Sequence, residues 1–318
     1  MSGFTPPAFA PNVGARTVRR LALVDAGGLD HLSAASSLVR IGSRLYVAAD
    51  DEHHLGVFDL SEHGSGRLVR VFEGELPRRH KDRKAAKPDL EALLQVPASK
   101  ARPNGALLAL GSGSRPQRQR GVLLALDGDG ALSGEVEPVD LGPLYLELAQ
   151  RFDKLNIEGG FITGTMFCLL QRGGAKSPNA CVRYAWGEVA HWLEAGGAAP
   201  AVRSVTRYEL GAIDGVPLAF TDAAALPDGG WVFCAAAEET DNAYDDGDCK
   251  GSAIGVVDPQ GRLAWIALLE PVCKVEGIAL STTGATMEVL LVSDADDRES
   301  PALLLCASLP EAALPSAA

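Results

Sequence analysis

A chain of 318 residues, 47% hydrophobic and 22% charged, has the make-up of a folded globular protein able to bury a sizeable core, in one large domain or two modest ones. Its 41 acidic against 29 basic residues give a formal charge of −12, which excludes nucleic acid or an anionic membrane surface as a general partner. The opening MSGFTPPAFAPNVGARTVRR lacks the apolar centre of a signal peptide, and no apolar run approaches the roughly 18 residues of a membrane span. A cytoplasmic protein is therefore expected. Cys168, Cys181, Cys234, Cys249, Cys273 and Cys306 occur singly, without a CxxC pair, which reads as reduced core thiols.

In chain order, one pattern recurs five times: a small polar or acidic residue opens a short apolar strand, and a second and third apolar strand follow. The openings are SSLVRIG from Ser36, EALLQVP from Glu91, EGGFITG from Glu158, DAAALPDGG from Asp222 and EGIALSTTG from Glu276. The second strands read RLYVAAD, ALLALGSG, MFCLLQR, WVFCAAAEE and EVLLVSD, and the third LGVFDL, GVLLALD, ACVRYAW, AIGVVD and ALLLCAS. The openings recur every 54 to 67 residues, and the runs are bounded by Gly, Pro and Asp, as strands and hairpins are. Segments such as RLVRVFEGEL and AVRSVTRYEL supply a more polar fourth strand.

Four strands per unit in a radial array predict an all-β fold, a five-bladed β-propeller, with six blades as the alternative. The last unit lacks a fourth strand of its own, so RTVRRLALVD near the N-terminus is expected to close the ring. The domain then spans residues 17–309, between an N-terminal tail over 1–16 and a C-terminal tail over 310–318. GPLYLELAQRF, with Pro143 at a helix start, and GEVAHWLEAGG, ending at glycine, predict two short peripheral helices. The basic stretch PRRHKDRKAAKP reads as a surface loop.

In a propeller the first strand of each blade lines the central channel, and the loop after the second strand returns to the face where the first began. Ser36, Glu91, Glu158, Asp222 and Glu276 thus form a ring at the channel mouth. Converging carboxylates repel one another unless paired, and a hard divalent cation relieves that repulsion. Oxygen ligands in a flexible ring suit calcium (Ca2+) better than magnesium or a transition metal. The alternative is that these side chains cap strands or bond neighbouring blades.

These strings also resemble a known family. SSLVRIGSRLYVAADD, EALLQVP, EGGFITGTMFCLLQR and KVEGIAL are similar to the repeat openings of the calcium-activated nucleotidases, the apyrase group of five-bladed propellers, with its Ser-x-Leu, Glu-Trp-Leu, Glu-Ala-Ala and Lys-Tyr-Glu-Gly motifs. The chain likewise resembles phytase-like and other bacterial propellers with D-x-E-G openings. The resemblance implies a channel calcium held by Ser36, Glu91, Glu158, Asp222 and Glu276. Two departures stand out. The nucleotidases continue Asp-Asp-Arg-Thr-Gly where Asp50 and Asp51 run on into Glu52, His53 and His54, and they carry Ser where this chain has Asp222.

On the same face Arg115, Arg118 and Arg120 of GSGSRPQRQRG, with Arg172 and Lys176 of QRGGAKSPNA, are candidates to hold a small anionic substrate, because guanidinium forks match phosphate or carboxylate oxygens. Asp50 or Asp51 would orient water, Arg115 would stabilise developing charge, and His53 and His54 are candidate acid and base or a second metal site. No Gly-x-Ser-x-Gly elbow occurs. Three functions remain open: a calcium-dependent hydrolase of a phosphate ester or anhydride, a lactonase or ester hydrolase, and a non-catalytic propeller with a structural calcium.

Overall fold

The structure is a computed structural model that describes residues 8–26, 29–62, 64–174, 178–239, 247–283 and 286–313. Strand β1 (Ala10–Arg20) leads into a small hairpin, β2 (Ala22–Ala26) and β3 (Leu29–His31). A first antiparallel meander follows: β4 (Ala35–Ile41), β5 (Arg44–Ala49), β6 (His54–Asp59) and β7 (Arg67–Arg70). After helix α1 (His80–Ala86) come β8 (Leu90–Val96), β9 (Ala106–Gly111), β10 (Arg120–Leu126) and β11 (Leu132–Asp140). Helix α2 (Gly142–Arg151) precedes β12 (Ile157–Thr163), β13 (Met166–Gln171) and β14 (Asn179–Ala185), and helix α3 (Trp186–Ala195) separates these from β15 (Ser204–Tyr208).

Beyond a two-stranded insert, β16 (Ala212–Ile213) with β17 (Val216–Pro217), lies an eight-stranded sheet built from two meanders. One is β18 (Ala219–Ala225), β19 (Trp231–Glu239), β20 (Asp248–Val257) and β21 (Leu263–Glu270); the other is β22 (Lys274–Thr283), β23 (Thr286–Asp294) and β24 (Leu303–Ser308). Strand β1 joins them. It pairs antiparallel with β24 over Ala15–Arg20 and parallel with β21 at Ala10, Val13 and Gly14. The N-terminal strand thus supplies the missing fourth strand, and it begins at Ala10, inside the stretch expected to be a tail.

The sequence dictates these elements locally. The strands are runs of Val, Leu, Ile and Ala, and the turn between β4 and β5 is two residues long with Gly42 at φ +60, the conformation such hairpins require. The apolar side chains form five buried clusters, each lying between successive meanders. Helix α2 fills the layer between the second and third, burying Leu144, Tyr145 and Leu148, with the Tyr145 hydroxyl donating to the Gly111 carbonyl at 2.8 Å. First strands also touch one another in sequence: β4 with β8, β8 with β12, β12 with β18, β18 with β22, and β22 with β4. Antiparallel meanders stacked face to face with their first strands around one axis make a β-propeller.

Among the described residues three α-helices are present where two were expected. The basic stretch read as a loop contains α1, whose Ala, Lys and Arg are good helix formers. Its cations do not all face water, for Arg83 and Lys87 are buried against carboxylates of the first two meanders.

Close packing at the axis relies on glycine. A Cβ on Gly277 would lie 2.8 Å from the Ser37 Cα and 2.8 Å from the Val292 side chain. Gly277→Ala should therefore destabilise the fold by about 1–3 kcal/mol through overpacking, read as a lower urea midpoint. An unchanged midpoint would contradict this packing.

Candidate functional site

Every first strand carries a β-bulge near its start. The pairing of each first strand with its second skips one residue, and the residues skipped are Ser36, Glu91, Glu158, Thr221 and Glu276. A bulge leaves its extra residue outside the ladder and re-aims its side chain. Four of the five expected ring residues hold this position. In the fourth meander Thr221 holds it, and Asp222 stands one residue further on.

That single step changes what Asp222 does. Its carboxylate accepts the Ser37 hydroxyl at 2.8 Å, the Ile278 N–H at 3.2 Å and the Ala223 N–H at 2.8 Å, and the residue is 1% exposed. Burial pushes its pKa well above the ordinary value. Asp222 and Ser37 bridge first strands that are not sequential neighbours, while Gly159 and Gly277 at the matching positions allow close approach to Asp222 and Ser37. Ser36 and Thr221 also play matching parts: each hydroxyl donates to a carbonyl of the next first strand, Leu90 at 2.5 Å and Val275 at 2.9 Å.

The acidic bulge residues meet charges from neighbouring loops. On one side, carboxylate oxygens of Asp50, Asp89 and Glu91 lie within 4.8 Å of one another. The Lys87 ammonium contacts the Asp50 Oδ2 and lies 2.9 Å from the Asp89 Oδ1, while Arg118 at 2.7 Å and the Ser112 hydroxyl at 2.5 Å occupy the Asp89 Oδ2. Against the cost of burial, Lys87 and Arg118 hold Asp89 below the ordinary carboxylate range. For Glu91 the nearby Lys87 offsets the cost only in part. Burial, with Glu158 and Asp89 nearby, drives its pKa well up, and it has no hydrogen bond among the described residues.

On the other side Arg172 lies 3.0 Å from Glu158 and also contacts Glu238, and Asn156 donates to Glu158 at 2.5 Å. Lys274 reaches Glu238 at 2.6 Å, Glu276 at 3.1 Å and Asp296 at 2.7 Å, with Asp294 at 3.9 Å. Burial raises Glu158 to about 7 despite Arg172, and raises Asp294 to about 8 despite Lys274. A cleft of about 660 Å³, lined in part by Lys274, Asp294, Asp296, Cys249 and Cys273, opens beside this group. Across both sides the eight carboxylates named here outnumber Lys87, Arg118, Arg172 and Lys274 two to one.

The candidate substrate residues are dispersed. Arg118 and Arg172 are committed to the carboxylates just described. The Arg120 guanidinium lies 4.4 Å over the Phe72 ring, which His53 meets edge-on at 5.9 Å while its Nδ1 faces the Gly74 carbonyl at 3.2 Å. Burial holds His53 below the ordinary value. Arg115 is half-buried just before the short turn Pro116–Arg118, and Lys176 lies outside the described residues. Asp50 and Asp51 diverge, since Asp51 pairs with Arg83 at 3.1 Å, and Glu52 shares that arginine at 2.5 Å.

Asp89, Lys87, Lys274 and Glu238 were missed by the sequence reading. The repeat itself holds the signal for two of them: two residues before the bulge the units read Ala34, Asp89, Asn156, Ala219 and Lys274. Asn156 and Lys274 bond the bulge acid of their own strand.

The family model described as a family of unknown function (DUF6929) matches residues 31–309. No match was found among curated proteins. Among solved structures the chain is similar to the glutaminyl cyclase of Myxococcus xanthus, at 9% identity and a TM-score of 0.47, over 95% of this chain and 100% of the other. It is also similar to the alpha-L-arabinanase of Cellvibrio cellulosa (11%, 0.46, 86% and 91%) and to the beta-propeller domain of Myceliophteria thermophila Cps50 (Swd1) (10%, 0.36, 91% and 73%). At these identities and scores none of the three bears on what this chain does.

Glu158 and Asp294 hold protons more tightly folded than unfolded, so their stabilising share is full below pH 4 or so and is lost as pH rises through about 7 and about 8. In chelator, the melting temperature should fall between pH 5 and pH 8.5. A rise across that window would contradict the acidic mouth described here.

Proposed function

We propose that this chain, which belongs to the DUF6929 family of unknown function, is a five-bladed β-propeller that binds a hard divalent cation, calcium by the chemistry of its ligands, at the mouth of its central channel. The closed cycle of contacts among β4, β8, β12, β18 and β22 supports five blades over six. The observation that carries the metal reading is the convergence of Asp50, Asp89 and Glu91, from three separate backbone positions, with ligand oxygens within 4.8 Å of one another.

The donor set fits the ion. All three ligands are carboxylates and no thiol or imidazole joins them, which favours calcium, magnesium or manganese over zinc or copper. Calcium tolerates the irregular arrangement of side chains from a hairpin end, a linker and a bulge. Glu158, electrostatically coupled to Glu91, is a further carboxylate within the ion's influence. Of the residues expected to hold the ion, Glu91 fits best. Ser36 spends its proton on the Leu90 carbonyl, and Asp222 is saturated with donors below the ring.

One observation favours a second reading, a metal-dependent hydrolase of an ester or lactone. Glu158, raised to about 7, is poised to hold or release a proton near neutral pH. A bound cation would supply polarisation of a carbonyl oxygen. A phosphate ester or anhydride fits this mouth less well, because Arg118 and Arg172 are already paired with carboxylates.

Calcium at about a hundred times its dissociation constant should stabilise the fold by about 2.7 kcal/mol, seen as a melting temperature higher in calcium than in chelator. Glu91→Gln should abolish that difference while leaving the chelator melting temperature nearly unchanged, since burial already favours the uncharged form of Glu91 and Gln is its neutral counterpart. An undiminished calcium shift in Glu91→Gln would refute Glu91 as a ligand.

A further inference from the structure

We propose that Lys87 is the specificity-determining residue of this site: its ammonium is a resident counter-ion that an incoming divalent cation must displace. The inference rests on the metal reading above and concerns how that same site is filled. Its ground is the disposition of donors on Asp89. The Oδ2 accepts from Arg118 at 2.7 Å and from Ser112 at 2.5 Å, so both a guanidinium and a hydroxyl would have to leave before an ion could use it. The Oδ1 is held by Lys87 alone among the described residues, at 2.9 Å, and Lys87 also holds the Asp50 Oδ2. An ion bridging Asp50, Asp89 and Glu91 is thus brought onto the Asp89 oxygen that carries the ammonium. Two cations on one oxygen repel, and only one of them is tethered by a flexible side chain.

The backbone suits such an exchange. Lys87 caps the C-terminal end of α1, and its N–H is held by the Arg83 carbonyl at 2.8 Å. Helix α1 is anchored independently of Lys87: Arg83 binds Asp51 and Glu52, Arg118 donates to the Lys84 carbonyl at 2.9 Å, and Gln117 donates to the Ala85 carbonyl at 2.9 Å. The ammonium can therefore leave without moving the helix. Lys87 and Arg118 together balance the charges of Asp50 and Asp89, and withdrawing Lys87 frees one of those charges to face a divalent ion. Lys87 consequently acts against weak or monovalent ligands and yields to a cation of higher charge.

Two measurements on the full chain test this. Equilibrium dialysis with calcium alone should show Lys87→Met binding at least about tenfold more tightly than the wild type. Lysine acylation of the wild type, read by mass spectrometry, should show Lys87 labelling rising severalfold in saturating calcium while Lys100 and Lys154 stay unchanged. Calcium binding by the variant but not by the wild type would show that Lys87 excludes the ion instead of yielding to it, and would overturn displacement. Equal affinities with Lys87 still protected in calcium-loaded protein would overturn displacement and leave the metal site standing, and weaker binding by Lys87→Met would do the same. Absence of calcium binding in both proteins would overturn the metal reading and the displacement with it. Should Lys87→Met fail to fold, the wild-type labelling decides alone.

Discussion

The mutual repulsion of carboxylates gathered around one axis is the constraint on which the rest of this site depends. A bulge repeated at the start of every first strand delivers Glu91, Glu158 and Glu276 to the same mouth. Hairpin ends add Asp50, Glu238 and Asp294, and burial removes the water that would otherwise screen them. Each outcome for such a group is visible. Asp89 is held ionised by two cations, Asp222 is satisfied by donors, and Glu158 and Asp294 hold protons up to near neutrality.

The cations that answer this charge come from places of different kinds. Arg118 and Arg172 lie on or beside the loops that return to the mouth, where a propeller puts them. Lys87 and Arg83 come from α1, an insertion between the first and second meanders, and reach the mouth from outside the repeat. A buried ion pair is costly to assemble and costlier to break on one side, so these partners lock the loops they bridge. The same pairing explains why Arg118 and Arg172, which look free for an anionic substrate in the sequence, are not: their forks are filled from within the chain.

How much of this was legible in the sequence follows the strength of the repeat. The alternation of apolar runs with Gly and Asp located the first three strands of every meander, and the shortage of a fourth strand in the last unit pointed to the N-terminal one. The face shared by strand starts and second-strand ends was also readable, since it follows from antiparallel pairing. What escaped was anything set by a single residue of register. Thr221 and Asp222 are both polar, and only the pairing of Phe220 with Ala235 and Asp222 with Cys234 reveals which is bulged. Helix α1 escaped because its basic run has the composition of a solvated loop, and the carboxylates that bury Arg83 and Lys87 lie in distant segments.

Strand β1 has a consequence for how the chain comes together. Its partners, β21 and β24, lie about 250 to 290 residues further along, so the pairing that joins the two final meanders draws on both ends of the sequence at once. Contacts of such separation form late and set a slow folding rate. During synthesis the earlier meanders can stack in order as they emerge, but β1 waits as an open edge until β21 of the fourth meander and then β24 of the fifth are made. The strand that closes the molecule is thus the one longest exposed to mispairing. Arg16, Arg19 and Arg20 along it are charges of the sort that keep an edge strand from adding to the wrong sheet.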